Sequence, residues 1–299
     1  MIGSTTKALR AIYRRGFLGT GLLTLLVLLS AVSPADDDRT DETESARAQR
    51  ESRLAKMGKL AAQFEMKLAA SEAAQPLELR PKPIFRYSDQ PRGFVDATLW
   101  SWGAGGSTGR PSVIAKVEAA TTLDKIPYWH FCVVSLADEL VTADFDGARR
   151  LAATKPGIEL RRIPDAPLPA DKPTGRQRQM KELAARFGAT IFNTNPVSRK
   201  IEPQEMRLLA TPVHRYAEES SGLLDGMIFG LTTNGTNPDM LIVVELHATT
   251  ARAAEWKYGI VKMTIAEVRV RLDTGEVWSS PRNGPRETWD SFTKMPREE

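Results

Sequence analysis

The chain writes one passage twice. Residues 83–100, PIFRYSDQPRGFVDATLW, return as residues 212–229, PVHRYAEESSGLLDGMIF. Pro83, Arg86, Tyr87, Gly93 and Asp96 recur 129 residues later as Pro212, Arg215, Tyr216, Gly222 and Asp225. The match continues downstream at an offset of 127, where Pro111, Val117, Glu118, Thr122, Trp129 and Val134 recur as Pro238, Val244, Glu245, Thr249, Trp256 and Val261. Upstream, at an offset of 123, MGKLAAQF at 57–64 recurs as MKELAARF at 180–187. About a third of the positions in these blocks are identical, against roughly one in sixteen by chance for average composition. Their order never breaks, so an internal duplication is expected.

Before the first copy lies a leader. Residues 1–35 have a basic start (Lys7, Arg10, Arg14, Arg15), an apolar run over 17–32 and small residues Ser33 and Ala35 set as a cleavage site. Arg14-Arg15-Gly16-Phe17-Leu18 resembles the twin-arginine export motif, with ordinary secretory export as the alternative. An uncleaved anchor is the competing reading, although 17–32 is short for a bilayer core of about 30 Å. No Cys follows the run, which excludes a lipoprotein.

The leader holds four of the 41 Lys and Arg and no acid, so 41 less 4 leaves 37 basic residues against 37 acidic ones. The basic balance of the whole chain therefore gives no footprint for nucleic acid. Cys132 is the one cysteine and cannot form an internal disulfide; in the apolar run WHFCVVSL it reads as a buried thiol.

The remainder divides into a polar spacer (36–51), copy one (52–163), a Pro-rich linker (164–175) and copy two with a tail (176–299). Leu54, Met57, Ala61, Phe64 and Leu68 recur at helical spacing, as do Met180, Leu183, Ala184 and Phe187, with Gly188 as the stop. Strand patterns follow at 94–103, 112–121, 128–137, 140–145 and 158–163, then at 224–232, 239–248, 256–263, 266–272 and 276–279. Sequential strands with short turns imply antiparallel pairing. The expected fold class is α+β, two tandem repeats, each an amphipathic helix followed by a four- or five-stranded antiparallel meander. The copies form either two domains or one pseudo-symmetric unit.

The R-Y, then D-G-x-L/I-F/W strand, the W-x-Y/F strand and the LAARF helix, in tandem, resemble an uncharacterised family of exported bacterial proteins. The resemblance covers most of residues 57–281 and implies no catalytic or binding residue.

Candidate chemistry is sparse. GAGGSTG at 103–109 leads into Arg110-Pro111 and a strand, not Lys-Ser/Thr and a helix, so it reads as a hairpin loop. Glu245 and His247, two apart on one strand, share a face and could orient an acid-base pair, or simply belong to a polar sheet face. With His130 they are the suspects for catalysis. The charges kept in both copies, Arg86, Asp96, Glu118, Arg215, Asp225 and Glu245, form either a paired binding site or structural ion pairs. Trp129, Trp256, Tyr87 and Tyr216 read as core and corner residues. The usual nucleophile motifs are missing, and no metal or cofactor is expected.

These features imply an exported protein of the periplasm or cell envelope. Its expected role is a non-catalytic binding or interaction module for a small ligand or an envelope protein. It would touch the membrane only through 17–32 if that run is kept. The alternative is a hydrolase-like enzyme with its site between the copies.

Overall fold

Residues 64–68, FEMKL, alternate apolar and polar with period two, and this local pattern wins over the helical spacing that runs into it. In the computed structural model, which describes residues 44–69, 74–194, 199–250, 253–282 and 287–295, Phe64 opens a strand and the preceding helix has already ended at Ala61. The leader at 1–35 lies outside the described residues.

The first half runs α1 (Glu44–Ala61), β1 (Phe64–Leu68), β2 (Gln75–Pro76), β3 (Glu78–Leu79), β4 (Phe85–Asp89), β5 (Phe94–Gly103), β6 (Val113–Thr121), β7 (Pro127–Ser135), β8 (Val141–Phe145), β9 (Ala148–Ala152) and β10 (Arg161–Arg162). The second runs α2 (Pro173–Ala184), β11 (Phe187–Thr194), β12 (Ile201–Leu208), β13 (His214–Glu218), β14 (Leu223–Thr232), β15 (Met240–Thr250), β16 (Ala253–Lys262), β17 (Glu267–Leu272), β18 (Gly275–Ser280) and β19 (Trp289–Lys294).

The strands form three antiparallel sheets. Six strands make β19-β7-β6-β5-β3, with β4 also on β5. Nine make β10-β16-β15-β14-β12-β11-β17-β18, with β13 on β14. Four make β2-β1-β8-β9. In the second half β12 passes from β11 to β14. In the first half the same passage is made by two fragments, β2 on β1 and β3 on β5.

The expected α+β fold of two helix-plus-meander repeats is therefore wrong. The chain is mostly β, 52 % strand, with two α-helices among the described residues. Three physical causes account for the difference. First, the strands after each central hairpin leave the meander: β8 pairs with β1 and carries β9 on its other edge, and β17 pairs with β11. Second, strands cross between halves, since β10 joins β16 and the C-terminal β19 joins β7. Third, the helical stripes end early. Phe187 and Gly188, expected at the end of a helix, open β11, where Gly188 sits opposite Arg271 and a Cβ would lie 2.5 Å from that guanidinium. Gly188 thus lies inside a strand and does not terminate the helix.

The described residues form one compact unit with three apolar cores. Under α1 lie Met57, Leu60, Phe64, Trp100, Trp102, Phe131 and Phe145. Under α2 lie Met180, Leu183, Phe187, Phe229, Ile242 and Val268. The third core joins the six- and nine-stranded sheets face to face through Leu99, Ile114, Cys132, Val134, Ile228, Leu241 and Val243. Central strands are thus covered on both faces: Trp100 and Trp102 of β5 meet the α1 core while Leu99 meets the opposing sheet. That double burial is why 94–103 and 224–232 read as near-continuous apolar runs despite antiparallel pairing.

Two turns repeat in detail. One-turn 3-10 helices at Gln90–Arg92 and Glu219–Ser221 end in Gly93 and Gly222, with φ of 80° and 78°. At Gly93 a Cβ would also lie 2.9 Å from the Thr121 carbonyl oxygen. Both demands favour glycine at this matched position.

Candidate functional site

Where the two large sheets face each other, each carries a buried glutamate. Glu118 on β6 is 1 % exposed and Glu245 on β15 is 0 % exposed. A buried carboxylate is costly unless its oxygens are bonded, and both are. Tyr87 OH donates to Glu118 Oε1 at 2.7 Å, Asn237 Nδ2 to the same oxygen at 3.2 Å, and His130 Nδ1 lies 2.5 Å from Oε2. Tyr216 OH donates to Glu245 Oε1 at 2.6 Å, Arg110 Nη1 to both oxygens at 3.2 and 3.0 Å, and His247 Nε2 lies 2.7 Å from Oε2.

In each network one donor comes from the opposite half: Asn237 reaches Glu118 and Arg110 reaches Glu245. Lys116 Nζ donates to Asn237 Oδ1 at 2.7 Å and completes the first network. Burial pushes both carboxyls up, but the Lys116 charge and the His130 bond hold Glu118 below its ordinary range. The His247 bond and the Arg110 charge do the same for Glu245. Burial, with the glutamates beside them, keeps the Tyr87 and Tyr216 hydroxyls protonated far into the alkaline range.

Hairpin loops bring these donors across. The glycine-rich loop between β5 and β6 reaches the second half, with Ser107 Oγ donating to Glu218 Oε1 at 2.9 Å and Thr108 Oγ1 to the Ala217 carbonyl at 2.8 Å. The loop between β14 and β15 reaches the first, where Thr236 Oγ1 donates to the Ser88 carbonyl at 3.5 Å and Arg92 Nη1 to Asp239 Oδ1 at 2.6 Å. The loops clasp each other's halves.

The suspected residues separate into two places. Glu245 and His247 come together on a cavity of about 320 Å3 between the halves, with Arg110, Asp138, Glu139 and Glu218 on its walls. Arg110 Nη2 there also donates to Asp138 Oδ2 at 2.7 Å. His130 belongs instead to the Glu118 network, and its Nε2 lies 2.8 Å from Ser291 Oγ on β19. Glu118, His130 and Ser291 thus form an acid–imidazole–hydroxyl line. The Ser291 N–H is taken by Asp290 Oδ1 at 2.8 Å, so it does not serve a developing oxyanion.

The other retained charges dock the helices. Asp96 accepts from Arg86 Nε at 2.9 Å, Arg86 Nη2 at 2.5 Å and Arg53 Nε of α1 at 3.0 Å. Asp225 accepts from Arg215 Nε and Nη2 at 2.9 and 2.8 Å and from Arg176 Nε of α2 at 3.0 Å. Burial raises the Asp96 carboxyl, but the Arg86 and Arg53 bonds outweigh it and hold it below its ordinary range. Trp129 and Trp256 lie in the two helix-side cores.

Arg53 and Arg176 belong to no motif that points to a site, although the offset of 123 pairs them. Arg110 and Asn237 differ in type, so their equivalence carried no signal. Lys116 is matched by Val243, and Ser291 lies beyond the repeated blocks, so neither is marked by the repeat. Of the remaining histidines and thiols, His214 accepts from Arg80 Nη1 at 2.9 Å and is pushed down to about 4 by burial and by that arginine. The Cys132 thiol is buried and pushed up to about 12.

Among the described residues no group of three His, Cys, Asp or Glu could hold a metal ion, and no helix is long and apolar enough to cross a membrane. Comparison with protein-family models, with curated proteins and with solved structures gives no match in any of the three.

Proposed function

We propose that this is an exported cell-envelope protein, built by duplication, that holds a small ligand without transforming it in the cavity between its halves. The observation that carries the reading is the saturation of Glu245. Its two oxygens accept from Tyr216, Arg110 and His247, so the group best placed for acid-base work is committed to shaping the wall. Preformed concave sites that fix a ligand with a few polar groups have this character. Acid outnumbers base on the walls: Asp138, Glu139, Glu218 and Glu245 against Arg110 and His247. The ligand class that suits them is a small hydrogen-bonding molecule with a cationic group.

Calorimetric titration with putrescine tests this. Saturable 1:1 binding that weakens at least fivefold in Glu139→Gln supports the reading; no heat, or equal binding by the variant, overturns the ligand class.

The hydrolase reading has one observation in its favour, the Glu118–His130–Ser291 line, which matches the order of groups in an activated hydroxyl nucleophile. The occupied Ser291 N–H weighs against it.

A further inference from the structure

Beside Glu118 lies a pair of groups that ligand binding does not use. Lys116 on β6 is 3 % exposed, and Asn237, in the loop between β14 and β15, is 1 % exposed. They come from opposite halves and meet at 2.7 Å, Lys116 Nζ on Asn237 Oδ1. Lys116 stands opposite Leu99 on β5 and Cys132 on β7, so its side chain enters the core between the two large sheets. An ammonium carries three N–H donors. Among the described residues one of them finds an acceptor, and that acceptor is an amide. A buried charge so thinly solvated is costly, and turning it into an amide removes it.

Glu118 is the third member. Its Oε1 accepts from Asn237 Nδ2 at 3.2 Å and from Tyr87 OH at 2.7 Å. Two residues apart on β6, Lys116 and Glu118 share one face of the strand. Arg92 Nη2 holds the loop by donating to the Asn237 carbonyl at 3.4 Å. With a carbonyl bond of about 1.23 Å, the contact at Oδ1 puts Nζ between about 3.0 and 3.9 Å from Asn237 Cγ, near the separation from which a positioned nucleophile attacks. An amide in water resists an amine because the two meet rarely and the amine is protonated. Fixed proximity removes the first obstacle, and a carboxylate that can take the proton removes the second.

We infer that Lys116 and Asn237 join in an intramolecular isopeptide bond, with Glu118 as the catalytic acid-base. Glu118 takes one proton from the Lys116 ammonium, and the amine attacks Asn237 Cγ. The Nζ–Cγ bond forms and the Cγ–Nδ2 bond breaks. Glu118 hands its proton to Nδ2 and receives the one that Nζ sheds; ammonia leaves and carries that last proton off as ammonium. An ammonium and a carboxamide thus become a secondary amide and an ammonium ion, with nothing oxidised or reduced. The second half keeps the glutamate as Glu245, but Val243 and Arg110 stand at the positions matched to Lys116 and Asn237, so the halves are linked once.

Peptide mapping by mass spectrometry on the denatured, trypsin-digested full-length protein tests this. The expected product is a branched peptide that joins the segment around Lys116 to the segment around Asn237, uncut after Lys116 and lighter by one ammonia, about 17 Da. Lys116→Met and Asn237→Ala should each give separate peptides with no ammonia lost. Glu118→Gln, which keeps both reactants, should lower the linked fraction at least tenfold in protein shown by circular dichroism to be folded. Two separate peptides from the wild-type protein overturn the inference, as does an ammonia loss confined to Asn234-Gly235, where a succinimide would account for it. A linked fraction in Glu118→Gln equal to that of the wild type overturns the role of Glu118. The wild-type map decides alone if a variant fails to fold. Neither reactant lines the cavity at Glu245, so this result and the putrescine result are read separately.

Discussion

Arg110→Met removes the donor that the first half lends to Glu245 and keeps most of the aliphatic stem. Breaking a buried ion pair from one side costs about 3–5 kcal/mol because a charge is left uncompensated. Here Tyr216 and His247 stay on the carboxylate, while the two contacts at 3.2 and 3.0 Å are lost, so about 2–3 kcal/mol is expected. For a protein of this size that corresponds to a fall of about 5–10 °C in Tm. Urea unfolding followed by circular dichroism measures it, and the slope with denaturant should not change. Glu245→Gln in the Arg110→Met background should recover at least about 1 kcal/mol, because the stranded charge is gone. A loss under about 0.5 kcal/mol, or two separate transitions in place of one, would refute the claim that the halves are tied through these carboxylates.

Other consequences can be checked on the same material. Asp225→Asn weakens the clamp between α2 and β14 and is expected to cost roughly 1–3 kcal/mol, read as a lower urea midpoint; an unchanged midpoint contradicts the docking role. His214 is neutral in the fold, with its value pushed down to about 4 from 6.5. The unfolded chain therefore binds more protons between those values, and the contribution is full above pH 6.5 and lost as pH falls toward 4. Its size is about 1–2 kcal/mol after allowance for solvent screening. His214→Phe, which installs the residue found at the matched Phe85, should flatten the urea midpoint between pH 7 and 5; parallel curves for both proteins would count against it. A fluorophosphonate probe should leave Ser291 unlabelled, since its N–H is occupied; stoichiometric labelling would revive the hydrolase reading.

Much of the strand placement was legible. The run at 94–103 coincides with Phe94–Gly103, and 112–121 is within one residue of Val113–Thr121, because long apolar runs bounded by glycine and proline are strong local signals. The partners of those strands were not legible. Nothing local in residues 140–145 says that they pair with Phe64–Leu68, and nothing in residues 289–294 says that they extend the first half's sheet onto β7.

The candidate site shows the same division. Lys116 and Glu118 alternate with Val113, Ala115 and Val117 as a polar face would, yet both are buried, because a second sheet covers that face. A chain reveals which side chains share a face. It does not reveal what lies opposite, so the donors lent by Arg110 and Asn237 emerge only from the assembled fold. The clamps built from Arg53 and Arg176 are the counterexample, since a fixed offset in the sequence already matched them.

Native mass spectrometry of the protein purified from the envelope fraction of its own host tests the binding reading most directly. An organic ligand carried at 1:1, released unchanged on denaturation, is the expected result. A protein that arrives empty, or that carries a covalent adduct on Ser291, would contradict it.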